Sequence, residues 1–258
     1  MHILLTNDDG VFAPGLLALA QSLRKIGEVT VIAPERNWSG SGHVKTMHRP
    51  LRVTETNLQD GTAALATDGA PSDCVAMALL GLIKKKIDIV VSGINPFPNL
   101  GHDVTYSGTV TAAMEAALSG VPGFAVSLDS DRMDAKPLDY QPAAEIAASI
   151  IQQVQSAHLP GGVLLNINIP YIPLDEMVAV AITRQGQRVY RDALIEREDP
   201  RGRKYYWIGG DIPTGVLEEG TDFWALKEGM VSVTPLMMDL TDDDMLPSLE
   251  ACGLKLER

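Results

Sequence analysis

The chain has 258 residues, 45% of them hydrophobic, and a formal net charge of −12. It can therefore bury one large core, but it has no basic surplus with which to displace counterions from a nucleic acid polymer. Its two cysteines, Cys74 and Cys252, lie far apart and outside any CxxC spacing, which argues against a disulfide framework or a zinc knuckle and fits a reducing cytoplasm. It opens on a strand-like run, with no basic segment leading into an apolar one and no stretch of membrane-spanning length, so neither export nor insertion is expected.

Residues 2–7 read as a buried strand that runs out into Asn7-Asp8-Asp9-Gly10. Ligands of open α/β sheets bind beyond the carboxyl ends of the strands, and adjacent carboxylates repel unless positive charge lies between them. The pair points to a cation, with turn formation or helix capping as the plainer alternative. Pro14 to Ile26 reads as a helix with proline in its first turn and Gly27 at its end, and 28–33 as a second strand. A polar, glycine-rich loop, Pro34 to His43, precedes strands at 51–56 and 63–67 and a helix from Ser72 to Ile83. Ile87 to Ser92 is an apolar run of the kind buried on both faces, and a long loop follows it, Gly93 to Tyr106. Ser107 caps a small-residue helix, Gly108 to Leu118, closed by Ser119-Gly120. A strand at Phe124 to Val126, a helix at 142–157 and a strand from Val163 to Ile169 complete a β-α alternation. This alternation predicts an α/β fold, a Rossmann-like, mostly parallel, doubly wound sheet.

The pattern changes after Pro170. Residues 185–211 combine charge, glycine and the cluster Tyr205-Tyr206-Trp207, reading as a two-stranded arm that is marginal alone and expects another subunit to lie against. A strand at Met230 to Thr234, an acidic stretch at Asp239 to Asp244 and a helix near 246–253 end the chain. We expect one domain over 1–258, with a core to about 184, the arm at 185–211 and a C-terminal oligomerisation segment over 212–258.

Three loops leave parallel strands at the same end of the sheet and carry Asp8 and Asp9, Ser39, and Asn95. This is a hard, all-oxygen donor set suited to magnesium, manganese or calcium rather than zinc. Ser39 and Asn95 taken singly are equally ordinary loop formers. Ser107, Gly108 and Thr109 open a helix whose N–H groups and dipole suit a phosphate, to which Gly40 and Ser41 would add, with simple capping as the alternative. No Walker-type lysine stands in 93–101 and no GxGxxG follows the first strand. His2, His43, His48, His102 and His158 are scattered without HxxxH spacing; His43 and His102 lie in the functional loops and are candidates for substrate contact.

TNDDG at 6–10, ERNWSGSGH at 35–43, DGAPSDCV at 68–75, SGIN at 92–95, NLGHDVTYSGTVTAAMEA at 99–116, DPRGRKYYWIGG at 199–210 and VTPLMMDLT at 233–241 together resemble the survival protein SurE family. That family comprises metal-dependent 5′-nucleotidases. The resemblance implies divalent-metal ligands at Asp8, Asp9, Ser39 and Asn95, a Rossmann-like core, an extended hairpin used in subunit association and a C-terminal segment exchanged between subunits. Many members follow SGINxGxNxG, whereas this chain has Phe97 between Pro96 and Pro98, so the loop from Asn95 to Asn99 is expected to take another path. Val231 to Leu240 contains no histidine to serve as a general acid.

The expected activity is a phosphomonoesterase acting on nucleoside 5′-monophosphates, with 3′-monophosphates and short polyphosphate as further candidate substrates. One Mg2+ or Mn2+ per subunit, a water deprotonated with help from Asp8 or Asp9, and a polar substrate contact from Asn99 complete this reading. The assembly is expected to be a homodimer or homotetramer without nucleic acid polymer or membrane. The alternatives are an aspartyl-nucleophile phosphatase, a nucleotide-binding protein without turnover, and a receiver-type signalling module. The last would need a third aspartate where SGIN offers Asn95.

Overall fold

Apolar strands that alternate with helices must cover both faces, and in the computed structural model they do so in a single nine-stranded sheet. The structure describes residues 1–130, 137–157, 162–210 and 214–256; His158 lies outside them. In chain order come β1 (His2–Thr6), α1 (Pro14–Leu23), β2 (Glu28–Pro34), β3 (Val53–Asn57), β4 (Ala63–Thr67), α2 (Pro71–Met77) and β5 (Ile89–Asn95). Then follow α3 (Gly108–Leu118), β6 (Gly123–Asp129), α4 (Gln141–Ser156), β7 (Leu164–Pro170), β8 (Val180–Ile182), β9 (Arg188–Val189), β10 (Asp192–Glu198) and β11 (Lys204–Gly210). The last elements are β12 (Thr214–Gly215), α5 (Asp222–Lys227), β13 (Val231–Leu236) and α6 (Leu246–Ala251).

The sheet order is β3-β4-β2-β1-β5-β6-β7-β13-β8. Its centre, β4 through β7, is parallel. Within this sheet, among the described residues, antiparallel pairing appears where β3 meets β4 and β13 meets β7. Winding runs outward from β1 in both directions, so the switch point falls between β1 and β5, where a crevice opens beyond the strand ends. Alternation along β1 divides the core: Ile3 and Leu5 pack with Leu16, Leu19 and Ile151 of α1 and α4, while Leu4 faces Cys74, Val75, Ala112 and Ala116 of α2 and α3.

The expected doubly wound α/β architecture is what the structure shows, with differences of detail, one of which is that the strand expected at Ile87–Ser92 is β5, Ile89–Asn95, and runs on through the start of the expected loop. The first helix stops at Leu23, three residues short of the expected end. The second is α-helical only to Met77 and closes in a π-type turn, Ala78–Leu82, where Gly81 takes φ 114°. The short elements β8 and α5 were not anticipated, because three and six residues carry too little periodicity to register.

The arm exists as an antiparallel pair, β10 with β11, and leaves Leu194, Trp207 and Ile208 exposed. Its base is tied to a 3-10 turn, Gly101–Thr105: Arg188 pairs with Asp103 at 2.9 Å, the Tyr190 hydroxyl donates to Asp103, and Asp222 accepts from the Gly101 and Gly186 amides at 2.7 and 2.8 Å. Helix α6 buries none of its residues. Among the described residues no helix is long and apolar enough to cross a membrane.

Helix α3 lies so close to β6 that a Cβ on Gly123 would stand 2.2 Å from the Ala113 carbonyl oxygen. Gly123→Ala should therefore push the helix off the sheet and cost about 3 kcal/mol. Urea unfolding reads this directly, and an unchanged midpoint would count against that packing.

Candidate active site

The crevice is built from the ends of β1, β2 and β5 and the start of α3. At the end of β1 the Asn7 side chain closes its own turn, donating to the Gly10 carbonyl at 3.0 Å and accepting from the Gly10 amide at 3.2 Å. This bends the chain so that Asp8 and Asp9 leave the strand in succession. Asp8 is 3% exposed and packs on the first turn of α3: the Thr109 hydroxyl donates to its carboxylate, and a Cβ on Gly108 would stand 2.8 Å from the Asp8 Cβ. Only glycine allows that approach.

Asp9 is less buried and accepts from the Asn37 amide at 3.2 Å. The Asn37 side-chain oxygen in turn accepts from the Ser39 amide at 2.8 Å, and the Trp38 amide donates to the Asp8 carbonyl at 2.7 Å. Asn37 thus ties the loop after β2 to the acidic pair, a role the sequence did not signal. Gly40 lies open, whereas the Ser41 hydroxyl is buried with no hydrogen-bond partner among the described residues.

Asn95 ends β5, beside β1 in the sheet, and its amide donates to the Phe97 carbonyl at 2.5 Å. This is the local path of the Pro96-Phe97-Pro98 loop. Gly93 holds φ 141° against the Val126 carbonyl, where no side chain fits. Ser107 caps α3, accepting from the Val110 amide at 3.1 Å. Asn99 is buried beneath the crevice: its amide donates to the Ser127 hydroxyl at 2.8 Å, while Asn168 and Asn166 hold its backbone N–H and carbonyl. The alternating Asn166 and Asn168 in an otherwise apolar strand were the available signal for this bracket.

The histidines divide by environment. His43 pairs with Glu115 at 3.0 Å, and His2 is buried between the Lys86 carbonyl and the Thr30 hydroxyl. His102 and His48 are exposed.

The electrostatics follow from packing two acids together out of water. Burial raises the Asp8 carboxyl, opposed by hydrogen bonds from Thr109. Burial first, and the Asp8 charge second, push Asp9 up to about 7 against the lowering effect of Asn37. Burial and then the Asp9 charge also push the nearby Tyr140 phenol up to about 12. No lysine or arginine forms an ion pair with Asp8 or Asp9 among the described residues. The two adjacent carboxylates, without a paired cationic side chain, are the donor chemistry that a hard divalent cation takes. With only two acids in the set, no group of three or more His, Cys, Asp or Glu side chains gathers among the described residues.

A doubly wound sheet with paired acids and a helix N-terminus converging at its switch point defines a Rossmann-like α/β protein with an acidic crevice. Comparison with known proteins takes this further. The family model described as survival protein SurE matches residues 3–192. A 5′-nucleotidase SurE of Herpetosiphon aurantiacus is 50% identical over 249 residues, covering 96% of this chain and 97% of its own length. One from Geobacter sulfurreducens is 48% identical over 254 residues, covering 98% and 94%. The crystal structure of the SurE protein from Aquifex aeolicus superposes with a TM-score of 0.82 at 37% identity, over 98% of this chain and all of that one. The chain belongs to the survival protein SurE family.

The Asp9 carboxyl also sets an expectation for stability. Its folded value lies above its ordinary 3.8, so without metal its contribution to stability is fully present below about pH 4 and is lost as the pH rises toward 7. Metal-free Asp9→Asn protein should therefore melt higher than the parent at pH 8, by on the order of a few kcal/mol at most, with a flatter profile between pH 4 and 7. Coincident melting curves at pH 8 would contradict the assignment.

Proposed function

We propose that the chain is a metal-dependent 5′-nucleotidase that hydrolyses nucleoside 5′-monophosphates to nucleoside and phosphate, using one Mg2+ or Mn2+ per subunit held by Asp8, Asp9, Ser39 and Asn95. The observation that carries this reading is the buried, unneutralised acidic pair set against the first turn of α3. When bound, a divalent ion supplies charge neutralisation for the phosphoryl group and lowers the pKa of a water.

The chain's own groups divide the remaining work. Asp8 is locked by Thr109, which leaves the more exposed Asp9 to take a proton from an attacking water. With Ser107 spent on capping and Thr109 on Asp8, the phosphate falls to the Gly108 end of α3 with Gly40 and Ser41. Asn99 acts through the loop it braces rather than through its amide. Water is the nucleophile: Cys74 is fully buried, its thiol raised by burial, and no crevice serine has an adjacent base.

Phosphate release from 5′- and 3′-adenosine monophosphate with added Mg2+, added Mn2+ or excess chelator tests the proposal. Activity should require the cation and vanish with chelator, and full turnover in chelator would overturn it. Asp8→Asn should lower kcat by about a thousandfold or more while leaving the fold in place, because it keeps the acceptor oxygen for Thr109. Normal turnover in that variant would remove Asp8 from the metal site.

The same reading makes the protein a homodimer or homotetramer. Its support is the arm, where Trp207 and Ile208 are 64% and 84% exposed on two strands with no core of their own, and the uncovered apolar residues Leu246 and Leu249 of α6. Both cysteines are free, in keeping with a cytoplasmic enzyme. Light scattering at micromolar concentration should give a dimer or larger, and deleting residues 186–210 should reduce both assembly and activity. A fully active monomer would refute this.

A further inference from the structure

Lys84, Lys85 and Lys86 form a run of like charge in a chain whose net charge is −12. It lies directly after the π-type turn that ends the α2 segment and leads into β5. The run does not face open solvent alone. It lines a cleft of about 650 Å³ between the end of α2, the second half of α3 and the entry to β5, to which Lys45 also contributes. That volume is typical of small-molecule sites. Its lining combines apolar Leu79, Ile83 and Val121 with the four lysines.

Two of the four ammonium groups are already paired, Lys85 with Glu28 and Lys45 with Glu115. Those of Lys84 and Lys86 make no ion pair among the described residues. The one acid lining the cleft, Glu115, is 6% exposed and is covered by His43 and Lys45 at 3.0 and 2.9 Å, so it does not present a bare negative charge. A single exposed lysine–anion contact is worth little, and a ligand gains here only by bringing several charges at once. Glu115 lies seven residues along α3 from Gly108, about 10 Å of helix, so this cleft and the crevice at Asp8 do not overlap.

From these features we propose that the cleft is a second anion site, taking a small ligand that carries a chain of two or three phosphates, as a nucleoside diphosphate and inorganic tripolyphosphate both do. The site stands on its own residues and does not depend on what the crevice at Asp8 hydrolyses. Its position links it to that crevice, because Lys45 both lines the cleft and holds Glu115, and Thr111, one turn up α3 from Glu115, holds the Gly42 carbonyl of the loop that carries Ser39.

Isothermal titration of adenosine diphosphate, and separately of inorganic tripolyphosphate, into chelator-treated protein tests the site with the crevice deprived of metal. Saturable binding of either at about one per chain, weakened at least tenfold in the surface double variant Lys84→Glu/Lys86→Glu, supports the proposal. Which probe binds more tightly distinguishes a nucleotide from an inorganic source. The same variant should keep its metal-dependent phosphate release, which separates this site from the crevice. Absence of binding by both probes, or binding that the double variant leaves unchanged, would overturn it.

Discussion

A carboxylate taken out of water and set on the first turn of a helix is the constraint that organises this molecule. Burying Asp8 would be costly in isolation, but the positive end of the α3 dipole and the Thr109 hydroxyl offset part of that cost. The arrangement requires glycine at 108, where any side chain would strike Asp8. It also places a second acid beside the first, and burial, with the Asp8 charge second, pushes the Asp9 carboxyl up to about 7.

From that contact the surrounding loops take their positions. The Asp8 carbonyl holds Trp38, Asn37 bridges Asp9 to Ser39, and Tyr106 and Thr111 hold the backbone of Gly42. On the other side, Asn166 and Asn168 fix Asn99 while Asp222 fixes Gly101, so the loop between β5 and α3 is pinned at successive points. Asp222 accepts three backbone N–H groups, although its burial still raises its carboxyl. Because Arg188 and Tyr190 also grip Asp103, the base of the arm is mechanically continuous with the loop leading to Ser107.

Much of this was legible beforehand, for reasons particular to each element. Strands β1, β5 and β7 announce themselves because a strand covered on both faces is mostly apolar, and α3 because serine caps it and Ser119-Gly120 closes it. The acidic pair was visible because two charges at a strand end have no packing reason to be there. The antiparallel flank was not visible, since β13 reads the same whichever way its neighbour runs. Residue chemistry and chain order by themselves determined the parallel core, the acidic pair at the end of β1 and the arm, because hydrophobic period and loop composition are local properties. Only the tertiary structure decided that Thr109 belongs to Asp8, that Asn37 bridges Asp9 to the Ser39 loop and that Asn99 braces a loop. Those roles are distances across 101, 28 and 69 residues of sequence, and a hydrogen bond forms only between groups that folding has already brought together.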